Sequence, residues 1–151
     1  MTARLRNPDP EFIFSAEIVF SFKIWHYFGR KMKQRSTGYK WQVSEEILRQ
    51  MVEVIRKEAD PEMIIMFGSR ARGEARDDSD LDLIVIEKEP FGKERSKLKE
   101  LQKLYMALAD FSVPTDILVY SQSDVEKWRG SINNVLARGL REGKVLYERN
   151  N

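Results

Sequence analysis

Two apolar runs, MIIMF at residues 63–67 and LDLIVIE at residues 81–87, flank the thirteen-residue connection GSRARGEARDDSD. An apolar run with no polar alternation is what a strand buried on both faces demands, and five residues are too few for a helix of usual length. Two such runs commit the chain to a sheet whose faces are both covered. The connection makes the opposite demand. It starts on Gly68-Ser69 where the first run ends, and Asp80 and Asp82 bring two carboxylates to the start of the second. A solvated turn explains charge there, but not this order.

The flanking patterns supply the covering layers. Ser44 is placed to cap a helix whose first turn holds Glu45 and Glu46, acids that suit the positive end of the helix dipole. Ile47, Leu48, Met51, Val52 and Ile55 recur at helical spacing, and Pro61 disfavours helical geometry at Asp60, so the helix is expected to stop near Ala59. A charged helix is expected over residues 93–109, with Leu98, Leu101, Leu104, Tyr105 and Leu108 inward. TDILVY at residues 115–120 reads as a third strand. Ser123 is placed to cap a further helix, Gly143 to terminate the one after it, and KVLY at residues 144–147 to add an edge strand. Helices alternating with strands give an α/β or α+β fold, a sheet flanked by helices. The division expected is an N-terminal extension or arm over residues 1–43 and one domain over residues 44–151.

Bulk properties narrow the chemistry. At 151 residues, 42% hydrophobic and 33% charged, the chain can bury one core. A net charge of +2 sets up no basic field of the kind a nucleic-acid track needs, so no nucleic-acid partner is expected. The absence of cysteine excludes disulfides, thiolate metal sites and a thiol nucleophile, and the single histidine, His26, excludes a histidine pair for a metal. In FIFSAEIVFSFKIWHYF, residues 12–28, apolar residues alternate with period two, as in an extended arm, a hairpin or a partner contact. Glu17, Lys23 and His26 interrupt it and no small-residue cleavage site follows, so neither a signal peptide nor a membrane span is expected, and a cytoplasmic location is. An ordinary start at Met32 would make the segment an upstream addition. Tyr39 and Trp41 read as packing residues.

Strand side chains alternate, so Asp80 and Asp82 share a face with Cα atoms about 6.6 Å apart. Carboxylates that close repel and call for a counter-ion. Hard oxygen ligands at this spacing suit Mg²⁺, which takes few protein carboxylates and completes its shell with water and substrate phosphates. Gly68 permits close backbone approach to a phosphate, free amides and the Ser69 hydroxyl can bind its oxygens, and Arg70 and Arg72 are within reach to neutralise it. Asp116 is an acid at the start of an otherwise apolar strand, costly unless it lies at a solvent edge or is bound. Should the third strand pair with the second, Asp116 joins Asp80 and Asp82. Three carboxylates can then hold two metal ions about 3.5–4 Å apart, as in phosphoryl-type transfer.

Each feature has a plainer account when taken alone. EARDDSD is an ordinary turn composition, with Asp77 and Asp78 as turn residues. Ser69 could simply cap a short helix through Arg72, Arg70 and Arg72 could pair with nearby acids, and Asp116 could be a strand-edge acid. Asp110 and Asp124 are further acids, but at helix ends rather than on strands.

Taken together, Gly68-Ser69, ten intervening residues, Asp80-x-Asp82 and a later strand aspartate, Asp116, resemble the DNA polymerase β-like nucleotidyltransferase superfamily. The form GSRARG…SDLDL is most similar to its minimal nucleotidyltransferases, the MNT domains of prokaryotic HEPN–MNT pairs, over residues 44–147. That resemblance implies a small mixed sheet with helices packed on it. It implies Asp80 and Asp82 as ligands of two Mg²⁺ ions, Asp116 as ligand of the catalytic ion and activator of the incoming hydroxyl, and Gly68 and Ser69 as holders of the ATP triphosphate. It further implies AMP transfer to a hydroxyl of a HEPN-type toxin, an antitoxin activity. Two other readings stay open on the residues alone. One is a non-catalytic antitoxin or interaction module, which uses the aromatic arm and allows a homo-oligomer. The other is an antibiotic-type, small-molecule nucleotidyltransferase, for which little chain remains to shape an acceptor pocket.

Overall fold

In the computed structural model of the chain, residues 43–76 and 79–150 are described. The elements run α1 (Glu45–Ala59), β1 (Met63–Phe67), α2 (Gly68–Ala71), β2 (Leu81–Glu87), α3 (Lys97–Ala107), a 3-10 turn (Ala109–Phe111), β3 (Thr115–Ser121), α4 (Gln122–Trp128), α5 (Val135–Glu142) and β4 (Lys144–Glu148). The aromatic arm, His26, Tyr39, Trp41, Asp77 and Asp78 lie outside the described residues. Among those described, no helix is long and apolar enough to cross a membrane.

The four strands form one mixed sheet in the order β3-β2-β1-β4. β1 pairs antiparallel with both β2 and β4, while β2 and β3 run parallel. The two central strands are the two uninterrupted apolar runs, because only they lose both faces and both edges to neighbours. On one face Ile64, Met66, Leu83, Val85, Ile117 and Val119 pack with Met51 and Ile55 of α1 and Leu104 of α3 into the main core. Residues of opposite parity face the other layer, where α5 lies close over the sheet: a Cβ at Gly139 would overlap the Ile84 side chain.

Capping chemistry sets the helix bounds. Ser44 accepts from the Ile47 amide at 3.2 Å and starts α1; Asp60, with φ 45°, ends it in the left-handed region. The charged helix starts at Lys97, four residues later than its composition suggests, because the Ser96 hydroxyl is its cap, accepting from Lys99. α4 is capped by Ser121 rather than Ser123. Ser121 accepts from the Asp124 amide and the Asp124 carboxylate accepts from the Ser121 amide, a reciprocal capping box. Gly143 ends α5 with extended backbone and leads into β4. Arg149 then ties the end of β4 to the α1–β1 turn through Asp60 and Glu62.

Candidate active site

The site grows from the end of β1. Phe67, its last residue, is in register with Asp82, and the chain turns at once into the four-residue α2. That turn requires Gly68 to adopt φ +72°, which costs a side-chain-bearing residue but not glycine. The absence of a side chain has a second use, since a Cβ on Gly68 would overlap the Asp82 carboxylate. The glycine backbone and the carboxylate are therefore in close contact.

Across the parallel pair β2–β3, Asp82 is the register partner of Asp116. Register partners in adjacent strands project from the same face about 5 Å apart. Asp80 lies just before β2, two residues from Asp82, and its charge is felt there. Burial, then the charge of Asp116, then that of Asp80, push the Asp82 carboxyl up from 3.8 to about 6, with Arg70 and Arg72 pulling the other way. So Asp80, Asp82 and Asp116 share one electrostatic site.

The two arginines differ in use. Arg70 turns its guanidinium onto the backbone of the connection, with Nη2 donating to the Ser79 carbonyl at 2.5 Å and Nε to the Ser79 and Asp80 carbonyls at 3.2 Å each. It thereby clamps the segment that delivers Asp80. Arg72 pairs with Glu74 at 2.7 Å on the surface, and that bond, more than the charges of Glu142 and Asp82, holds its guanidinium protonated. Ser69 lies in the first turn of α2, and its carbonyl accepts from the Glu74 amide at 2.9 Å. Three residues absent from the sequence-based set border the site. Arg138 and Glu142 of α5 line a shallow pocket with Phe67, Gly68, Arg72 and Gly139. Tyr105 of α3 donates to Asp116 Oδ1 at 3.4 Å and accepts from the Ile117 amide at 3.1 Å. The Tyr105 contact was legible only as an inward position on a helix; nothing local marks Arg138 or Glu142.

The acids do not close into a ready-made cage: among the described residues no group of three acidic, histidine or cysteine side chains is drawn together enough to hold a metal ion. After burial, the charges of Asp116 and Asp80 are what raise the Asp82 carboxyl, so the three acids repel one another. The donor set suits Mg²⁺: hard oxygens only, few in number, beside a glycine turn where phosphate oxygens can complete a shell.

The family model described as Polymerase beta, Nucleotidyltransferase matches residues 49–151. A protein from Methanocaldococcus jannaschii named as a protein adenylyltransferase is 30% identical over 78 residues, 52% of this chain and 72% of that protein. Among solved structures, a nucleotidyltransferase from Sulfolobus solfataricus aligns at 19% identity over 69% of this chain and 79% of that one, with a TM-score of 0.43. A tri-AMPylated Shewanella oneidensis HEPN toxin in complex with MNT antitoxin aligns at 19% identity over 70% and 72%, with a TM-score of 0.41. The last two likenesses are too distant to transfer anything to this chain.

Proposed function

We propose the following for a chain that belongs to the Polymerase beta, Nucleotidyltransferase family and is a nucleotidyltransferase. It moves AMP from ATP to a hydroxyl of a partner protein, a HEPN-type toxin, and so acts as an antitoxin. The observation that carries this reading is the register pairing of Asp82 with Asp116 beside a glycine that only a missing side chain lets approach. The sequence resemblance to MNT domains and the name of the M. jannaschii relative favour a protein acceptor.

Asp80 and Asp82 would hold two Mg²⁺ ions, with Asp116 on the ion nearer the acceptor. Bound there, the ions would supply charge neutralisation for the triphosphate and for the oxygens of the displacement. The backbone at Gly68 and Ser69 would cradle the phosphates, and Arg70 would keep Asp80 in place through the Ser79 and Asp80 carbonyls. The acceptor oxygen attacks the α-phosphorus and forms the new P–O bond. The bridging bond to the β-phosphate breaks, and its electron pair leaves with pyrophosphate. The hydroxyl proton passes to Asp116. Burial first, and then the charges of Asp116 and Asp80, push the Asp82 carboxyl up to about 6. Binding cations there would relieve a repulsion the fold already carries.

The test is transfer of label from α-labelled ATP to a co-purified toxin partner in Mg²⁺ buffer. Label with the wild type and none with Asp80→Ala/Asp82→Ala is expected. Equal labelling by the double variant refutes the chemistry. Toxin neutralisation by that variant in cells would favour the non-catalytic antitoxin.

A further inference from the structure

Asp116 is the second residue of β3, an edge strand. Its register partner Asp82 repels it. Its own strand start is braced, with Thr115 Oγ1 donating to the Val113 carbonyl at 2.9 Å and the Leu81 amide donating to the Pro114 carbonyl at 2.8 Å, but these bonds fix backbone, not the carboxylate.

The side chain is reached from the main-core layer, around the strand edge. Leu104 and Leu108 seat α3 in the main core, and Tyr105 packs against that core from the helix flank. Its ring carries the hydroxyl past the sheet edge. There the Ile117 amide donates to it at 3.1 Å, and it donates to Asp116 Oδ1 at 3.4 Å. The two bonds depend on one another. With a lone pair engaged by the amide, the phenolic proton is directed to the carboxylate. At 3.4 Å the second bond is long, so it contributes direction more than energy.

We infer that Tyr105 is a positioning residue for the transfer: its hydroxyl, anchored on the Ile117 amide at the outer edge of β3, fixes the orientation of the Asp116 carboxylate and so sets the affinity of the site for its divalent cation. The inference rests on the assignment of Asp116 as a metal ligand made above. Residues that orient ligating carboxylates typically change metal affinity or activity 10- to 100-fold when altered. Tyr105 acts through Asp116.

The experiment uses the full chain and Tyr105→Phe, which keeps the ring and its packing. Mn²⁺ affinity is titrated by electron paramagnetic resonance with a non-hydrolysable ATP analogue present, and kcat and KM for ATP are measured in the labelling assay. Tyr105→Phe is expected to weaken Mn²⁺ binding at least about 10-fold and to lower kcat by a similar factor, with KM for ATP within about twofold. In an Asp116→Asn background the same change is expected to have no further effect on Mn²⁺ affinity. Wild-type Mn²⁺ affinity and kcat in Tyr105→Phe, whatever its thermal stability, overturn the inference. So does an undiminished effect in the Asp116→Asn background. Transfer by Asp80→Ala/Asp82→Ala instead breaks the parent assignment, and the two failures are told apart by which variant stays active.

Discussion

Gly68 and Gly73 share a backbone angle, φ +72°, and differ in what surrounds them. A Cβ on Gly73 meets nothing within 4 Å; one on Gly68 overlaps the Asp82 carboxylate. The pair therefore separates two costs that a single glycine substitution confounds. Forcing alanine into the left-handed region costs about 1–2 kcal/mol at either position. For a chain of this size that lowers Tm by roughly 2–8 °C. The additional overlap at Gly68 is with the far end of a flexible side chain, which can rotate away for little energy. The stability losses of Gly68→Ala and Gly73→Ala should thus agree within about 1 kcal/mol. Activity should not agree. Rotating Asp82 away moves a carboxylate from the site by an ångström or more, and displacements of that order cost about 10²-fold in rate. Gly73→Ala is expected to transfer label like the wild type, and Gly68→Ala at least about 100-fold more slowly. Melting curves and labelling rates on the two variants decide it. Near wild-type activity in Gly68→Ala would refute the claim that the glycine's missing side chain is what admits the Asp82 carboxylate.

The remaining predictions concern charge. With its carboxyl raised from 3.8 to about 6, the folded protein holds the Asp82 proton more tightly than the unfolded chain does. Stability from that proton is fully present below about 3.8 and is lost as pH rises through about 6. The shift sets a ceiling of about 3 kcal/mol, and solvent screening at a half-exposed site reduces it to about 1 kcal/mol. Metal-free protein should therefore gain part of that, a few tenths of a kcal/mol, between pH 7.5 and pH 5 in urea melts, and Asp82→Asn should not; an equal gain in the variant assigns the effect elsewhere. Arg70→Ala should free the Ser79–Asp80 backbone and speed amide exchange at Leu81 while sparing the core strands, with unchanged exchange showing that the clamp is idle. Glu87, 2% exposed, is ion-paired with Arg95 at the opposite end of β2. Arg95→Ala should strand that buried charge and destabilise the chain by about 2–3 kcal/mol by urea denaturation, the pair being open to solvent only on the arginine side. A loss under 0.5 kcal/mol would mean that water reaches Glu87.

What the sequence made legible follows the range of each interaction. The strands were readable because their determinant, an apolar run, is continuous, and α1 because Ser44, the acids after it and Pro61 all lie within a helix length. The capping box at Ser121 was also local, written as SQSD, but the neighbouring Ser123 carries the same hydroxyl and draws the assignment two residues on. Boundaries fail this way wherever equivalent donors are adjacent. In the site the division is sharper. Gly68, Asp80 and Asp82 lie on one connection and the strand it enters, so the order of residues nearly dictates their meeting. Asp116 needed one further condition, that β3 lie beside β2, which an apolar run cannot specify and the 82–116 register supplies. Tyr105 lies beyond both kinds of reading. Its hydroxyl meets Asp116 only because α3, packed on the main core, brings one phenol to the edge of β3, and the same sequence on a helix displaced by one turn would leave that hydroxyl about 5 Å away. Contacts of that kind are set by packing of whole elements, so they appear only when the layers are assembled. The carboxylate they steer lies on β3, whose place beside β2 is itself set by that assembly.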